Sequence, residues 1–138
     1  MNYQWINAFV GIPYKEHGRT FEATDCYGLV QLVYKNQLGV NLPDWVTGTY
    51  EMRDVIRAVT TCVEESVSKG YAEKVDQAQD FDIAVMERYG KAHHVGLVVA
   101  GGILHVSKRT GIAVHEKLED FMRSGAGVPR FYRWHTAH

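Results

Sequence analysis

The hydrophobic period of the chain changes partway along its length. Met52, Val55, Ile56, Val59, Cys62, Val63 and Val67 recur every three or four residues, the spacing of one helix face. From residue 83 onward apolar and polar residues alternate, the spacing of a strand with one buried face. This change predicts strands at 83–87, 94–100, 103–107, 112–115 and 130–134, with a short helix at 118–123. Gly101-Gly102 reads as a tight hairpin turn, so the strands on either side run antiparallel. Before the change, 3–9 reads as a short helix stopped by Gly11-Ile12-Pro13-Tyr14, and 15–24 as a polar loop. A second helix is capped by Asp25, carries Cys26, Leu29, Val30, Val33 and Gln37 on one face, and ends at Gly39. A loop at 42–50 leads to a long helix at 51–68. Helices first and an antiparallel sheet afterwards make an α+β fold: N-terminal helices packed on a mostly antiparallel sheet of five or six strands.

A chain of 138 residues is expected to form one domain over 1–138 and to bury a core without staples. The net charge of −1 and the lack of a basic stripe argue against a nucleic-acid partner. No apolar run reaches the ~18 residues of a membrane span, so no membrane insertion is expected. Residues 1–7 carry no basic segment, long apolar stretch or lipid-anchor cysteine. No secretory signal is expected, and the protein is expected to be cytoplasmic when made. Two cysteines do not make a disulfide framework. Cys62 lies on the apolar stripe and reads as core filling, and a Cys26–Cys62 bridge is not expected.

Cys26 has a different setting, at the head of a helix after Asp25. The thiolate is the nucleophile, and a helix N-terminus or an adjacent imidazolium favours it over the thiol. The helix face turns Cys26 inward, toward whatever the helix packs on. Backbone N–H groups at the helix start could serve an oxyanion hole. His94 follows on a strand, as His93-His94-Val95-Gly96. If Gly101-Gly102 is the turn, Val98 faces His105, and His94, Gly96, Val98 and His105 share one face. His94 is then the base, His105 the best candidate to orient it, and His93 faces the other way. In that register the two histidines stand about 13 Å apart along the strands at ~3.3 Å per residue, so contact requires a bulge, strong twist or another register. A structural thiol, or a zinc set of Cys26, His94 and His105, uses the same residues. No cofactor is expected.

The ordered blocks Gly11-Ile12-Pro13-Tyr14, Asp25-Cys26-Tyr27-Gly28-Leu29-Val30, Asp82-Ile83-Ala84-Val85-Met86, His94-Val95-Gly96-Leu97 and Leu104-His105 resemble the NlpC-type cell-wall peptidases, papain-like cysteine peptidases of bacteria and their phages. The resemblance implies Cys26 as nucleophile, His94 as base and His105 as the orienting third residue. It places Tyr14 beside the nucleophile, on the oxyanion or substrate, with Asp25, His17 and Tyr27 completing the substrate side. It implies the peptidoglycan stem peptide as substrate, cut near γ-D-glutamyl–diaminoacyl bonds. His17-Gly18-Arg19, Gly39-Val40-Asn41-Leu42-Pro43, Tyr50 and Arg130-Phe131-Tyr132-Arg133 resemble the phage-tail branch. That branch implies other phage tail proteins as partners and the virion tail as destination. Phe81 stands where the family usually has Gly, Ala92-His93 where a Ser often precedes the base, and Tyr27 where the secreted branch has Ser. Two further readings fit the same residues: a tail-tip assembly protein retaining the fold, and an acyltransferase or thioesterase on the same scaffold.

Overall fold

A computed structural model describes residues 2–43, 52–123 and 127–135. The expected loop containing Trp45 and Tyr50, residue Glu51, and the side chains of Met52 and Val55 lie outside the described residues. A 3₁₀ turn at Gln4–Ala8 opens the chain. The polar segment read as a loop instead forms a two-stranded ribbon, β1 (Arg19–Thr20) and β2 (Ala23–Thr24). Helix α1 (Cys26–Val33) runs on into a π turn at Tyr34–Leu38, and left-handed Gly39 ends it. Then follow α2 (Met52–Ser68), β3 (Ala72–Val75), β4 (Ile83–Arg88), β5 (Lys91–Val99), β6 (Gly102–His105), β7 (Val114–Lys117), α3 (Leu118–Arg123) and β8 (Val128–Trp134).

The expected α+β architecture is what forms. Six antiparallel strands lie in the order β3-β8-β4-β5-β6-β7. The last strand returns to lie between β3 and β4. Strand β3 escapes the period-two reading because Glu73 and Lys74 are adjacent and both exposed in a four-residue edge strand.

The sheet has two covered faces. Leu29, Val30 and Val33 of α1 and Ile56, Val59 and Val63 of α2 pack on Ile83, Val85, Val95, Leu97, Val99 and Leu104. On the opposite face Phe121 of α3 packs on Ala84, Met86, Val98 and Ile103. Strand parity puts alternate residues of β4, β5 and β6 on opposite sides. Helix α1 is buried over nearly its whole circumference, Tyr27, Gly28 and Leu32 included. An all-round apolar helix needs cover on its outer side, and the β1–β2 ribbon contributes that cover. Gly28 permits the approach: a Cβ there would overlap the Gly18 carbonyl oxygen and lie 2.5 Å from Thr24 Oγ1.

The β5–β6 turn differs from the expected Gly-Gly turn. Ala100 and Gly101 occupy it, with φ of 51° and 71°, as a type I′ turn demands at both central positions. The ladder is therefore Val99↔Gly102, Val98↔Ile103 and Leu97↔Leu104. Gly102 is a glycine for another reason: a Cβ there would run into the Glu116 carbonyl oxygen of β7. The shift moves His105 from opposite Val98 to opposite Gly96, on the same face. Phe81, where the family pattern has glycine, keeps a left-handed φ of 73°. Its ring stacks on Trp5 at 5.6 Å and its carbonyl accepts from the Tyr34 hydroxyl, which offsets the strain.

Gly28→Ala is expected to lower unfolding stability by about 1–3 kcal/mol, the usual cost of overpacking, with a matching drop in the denaturation midpoint. An unchanged midpoint would show that the ribbon does not bear on α1 at this position.

Candidate active site

Asp25 prepares the helix start. It is fully buried and extended, and its Oδ1 accepts from the Gly28 N–H at 2.7 Å. Its Oδ2 accepts from the His17 N–H at 3.0 Å, and Arg19 Nη1 lies 2.6 Å from Oδ1. Asp25 thus caps α1 and ties the ribbon to it, which occupies both carboxylate oxygens. His17 takes part through its backbone, at a left-handed φ of 65°. Tyr27, expected in the groove wall, is buried, and its hydroxyl donates to the Pro43 carbonyl at 2.6 Å. The reason is the all-round burial of α1, which leaves Tyr27 in the body of the protein. Neither His17 nor Tyr27 lines the cavity that contains Cys26.

That cavity, of about 280 Å³, brings Cys26 together with Tyr14, His93, His94, Ser107 and Arg109. Tyr14 is held by backbone bonds on both sides: its N–H donates to Gly111 at 2.9 Å, and the Lys15 N–H donates to Thr24 at 3.0 Å. Burial first, then the neighbouring Cys26, Glu16 and Asp25, push the Tyr14 phenol up to about 12, so it stays a donor at neutral pH.

Cys26 is 3% exposed at the first position of α1. The backbone N–H groups of Val95 and Tyr27 donate to its sulfur, and Arg19 also favours the anion. Burial outweighs them, with help from the Asp25 charge, and pushes the thiol up to about 12. Burial, with His105, His93 and Arg109 adding to it, takes His94 down to about 3. The free site therefore rests as a thiol and a neutral imidazole, and not as the ion pair expected from a helix dipole and a nearby histidine.

His94 and His105 meet directly, with His94 Nε2 3.0 Å from His105 Nδ1 and the rings at 78°. Three features bring this about. The hairpin register sets His105 beside Gly96, where a Cβ would lie 3.2 Å from that of His105 and 2.8 Å from Ile103 Cγ2. A bulge at His93 of β5, across from the step between Met86 and Glu87 of β4, leaves His94 opposite Met86 and Ala92 opposite Glu87. The Phe121 ring stands edge-on to His105 at 4.9 Å and lies nearly parallel to His94 at 6.5 Å. The bulge also corrects the expected position of His93. As the residue between the two paired positions it escapes strict alternation and lines the cavity beside His94.

The row continues to Glu116, whose Oε1 lies 3.6 Å from His105 Nε2, an ion-pair distance longer than a hydrogen bond. Glu116 is missed by the sequence reading because the predicted strand ends at His115, whereas β7 reaches Lys117. Had the strand been carried further, parity would have placed Glu116 on the His105 face, since Ile103 pairs with Glu116 and His105 with Val114. The two histidine nitrogens point at each other and not at a common third point, so Cys26, His94 and His105 do not form a convergent zinc set. Among the described residues no group of three or more potential ligands converges elsewhere. Both cysteines are free, and Cys62 is half-buried on α2.

Residues 11–126 match the family model described as the NlpC/P60 family. Among curated proteins no significant match is found. The solved NlpC/p60 domain of the peptidoglycan hydrolase SagA is 20% identical, with a TM-score of 0.59 over 91% of this chain and 89% of that one. NlpC1 and NlpC2 of Trichomonas vaginalis are 18% and 17% identical, with TM-scores of 0.61 and 0.62 over 94% of this chain. The chain spans 41% and 44% of those two proteins. At these identities the likeness is one of fold.

Lowered histidine pKa values give stability a definite pH dependence. An unfolded chain binds protons at His94 near 6.5, whereas the folded chain binds one there only near 3. Between those values the unfolded state holds more protons, so this contribution is full above 6.5 and is lost as pH falls. The limiting slope for one such group is about 1.4 kcal/mol per pH unit. Urea midpoints measured from neutral pH downward should fall more steeply for the native chain than for His94→Gln. Parallel curves would mean that His94 is not buried neutral.

Proposed function

The chain belongs to the NlpC/P60 family, and on that premise we propose that it is a cysteine peptidase that hydrolyses peptide bonds in peptidoglycan stem peptides. The observation that carries this reading is the row of side chains from the Cys26 cavity through His94 and His105 to Glu116. Glu116 can only accept, so a proton sits on His105 Nε2 and leaves Nδ1 of that ring as an acceptor. His94 then donates from Nε2, and its Nδ1 lone pair remains for the thiol. A neutral His94 so oriented is a general base.

In this reading Cys26 transfers its proton to His94 Nδ1 as Sγ attacks the substrate carbonyl carbon. On the same reading the Cys26 N–H and the hydroxyl of Tyr14, which lines the same cavity, hold the oxyanion. Collapse breaks the C–N bond, and His94 returns the proton to the departing amine. Water then attacks the thioester, giving a proton to His94, and release of the carboxylate product restores the thiol. His94 touches the reacting atoms, whereas His105 and Glu116 act through it as positioning residues. Support for the substrate class comes from the family and from SagA, which is called a peptidoglycan hydrolase. The ordered sequence blocks support the finer reading of a γ-D-glutamyl–diaminoacyl bond and of action within a phage tail, beside other tail proteins. A thioesterase or acyltransferase would share the first half of this chemistry and differ in the acyl group accepted.

Cys26→Ala is expected to lower hydrolysis of purified peptidoglycan by more than about 10³-fold while the thermal midpoint stays near that of the native chain. Full activity in that variant excludes the reading, and a preference for thioesters over stem peptides would favour the thioesterase.

Glu116→Gln should reduce kcat on the order of tenfold, by the logic of a lost tautomer-fixing carboxylate. Glu116 favours protonation of His105, so its loss should also move the acid limb of the kcat/KM profile to lower pH. Glu116→Asp should restore part of both. An unmoved limb would limit Glu116 to a packing role.

A further inference from the structure

The β4–β5 hairpin closes on a two-residue turn, Tyr89-Gly90, with Arg88 paired to Lys91 beside it. Both turn residues are left-handed, with φ of 53° and 74°, as a type I′ turn demands. Such a turn favours asparagine, aspartate or glycine at its first position, and a bulky side chain there is strained. Among the described residues three other non-glycine residues are left-handed, and contacts within the fold hold each of them. His17 donates its N–H to Asp25, Phe81 stacks on Trp5, and the Ala100 N–H donates to Asp80 Oδ1 at 2.9 Å. Tyr89 differs from them. Its side chain is 96% exposed, the most exposed of the large apolar side chains among the described residues. A strained residue that buries nothing does not serve folding.

Its position offers another use. Strand β5 runs from this tip directly to His93 and His94, and Arg88, beside the tip, lines a cavity that His94 also lines. From Lys91 to His94 the strand covers about 10 Å at ~3.3 Å per residue. That is also the reach of about three extended peptide residues. Whatever a stem peptide is attached to at such a distance meets Tyr89 while the scissile bond sits at Cys26. The ring is open to solvent on both faces, carries a hydroxyl at its edge and has only two side-chain torsions to fix. A pyranose suits that surface, because its axial C–H bonds pack on an aromatic face and its hydroxyls meet the phenol. Peptide backbone is recognised in a groove or along a strand edge, and a turn tip supplies neither.

We propose that Tyr89, at the tip of the β4–β5 hairpin, is a stacking platform for a sugar ring of the glycan to which the stem peptide is attached. One hairpin then carries the carbohydrate contact at its tip and His94 on its second strand. Polymer held at the tip brings its peptide within reach of Cys26, which raises the chance of a productive encounter. This rests on the peptidase reading above and adds to it a contact with the carbohydrate part of the substrate.

The test compares insoluble peptidoglycan with a soluble stem peptide freed of sugar, both offered to the complete chain. Tyr89→Asn suits the turn and removes the ring, so its thermal midpoint should equal or exceed that of the native chain. Its rate on the polymer, relative to its rate on the soluble peptide, should fall about fivefold, the scale of one aromatic contact. Tyr89→Trp should hold the native ratio. Binding is read separately, by cosedimentation of Cys26→Ala with peptidoglycan. Adding Tyr89→Asn should weaken that binding by a similar factor, and glycan strands stripped of peptide should compete with it. A native ratio in Tyr89→Asn, or binding that neither the lost ring nor free glycan disturbs, overturns the platform and leaves the peptidase reading intact. Competition by the stem peptide and not by the glycan also overturns it. A native chain that cuts neither substrate overturns the peptidase reading, and cosedimentation still decides the platform.

Discussion

The 3.0 Å contact between His94 and His105 is the constraint on which the rest of the site depends. It couples residues from two strands, and the strand geometry alone does not deliver it. A two-residue turn placed one position later would slide His105 up β6 toward Val98. The left-handed pair Ala100-Gly101 prevents this by turning the chain one residue earlier. The bulge at His93 of β5 sets His94 at the start of the regular ladder with β4. Gly96 then leaves room beside His105 that any side chain would fill. Phe121 closes the far side with its ring against both imidazoles. Turn, bulge, glycine and aromatic wall thus hold the hydrogen-bonded pair of histidines with Glu116 at ion-pair distance beyond it.

Burial sets the electrostatic state of this row. A helix dipole contributes a fraction of a charge near an exposed terminus, but here the helix start is dry. Asp25 adds a negative charge directly beside Cys26, and Arg19 answers it only in part. The thiol is held as a thiol, and His94 is held neutral by burial and by the cations around it. On the proposed peptidase reading, such a site favours proton transfer coupled to attack over standing nucleophilicity. A resting thiol is also less exposed to adventitious oxidation.

Much of this was legible in the sequence. Asp25 as cap and the stripe of Cys26, Leu29, Val30 and Val33 gave the helix start and its inward thiol, and all four stripe residues are buried. Alternation in 94–98 gave the shared face of His94 and His105, because parity survives a shift of the turn by one residue. The register itself was not legible. Gly102 is a glycine on account of β7, and nothing local distinguishes that from a turn glycine. Glu116 was hidden by an uncertain strand end, and Tyr27 by the cover that the ribbon lays over α1. The protonation state was hidden as well, since dehydration of Cys26 follows from packing across the whole chain. The family blocks named Cys26, His94 and His105, and the fold brings Cys26 and His94 to one cavity and His94 into contact with His105.

The direction of the row is open to direct observation. Nitrogen-15 NMR of the imidazoles at neutral pH reports which ring nitrogen carries hydrogen on each histidine. A row directed from the thiol to Glu116 predicts that both His94 and His105 are neutral and that both carry their hydrogen on Nε2. A His94 that carries its hydrogen on Nδ1, or that is charged in the free protein, would contradict it.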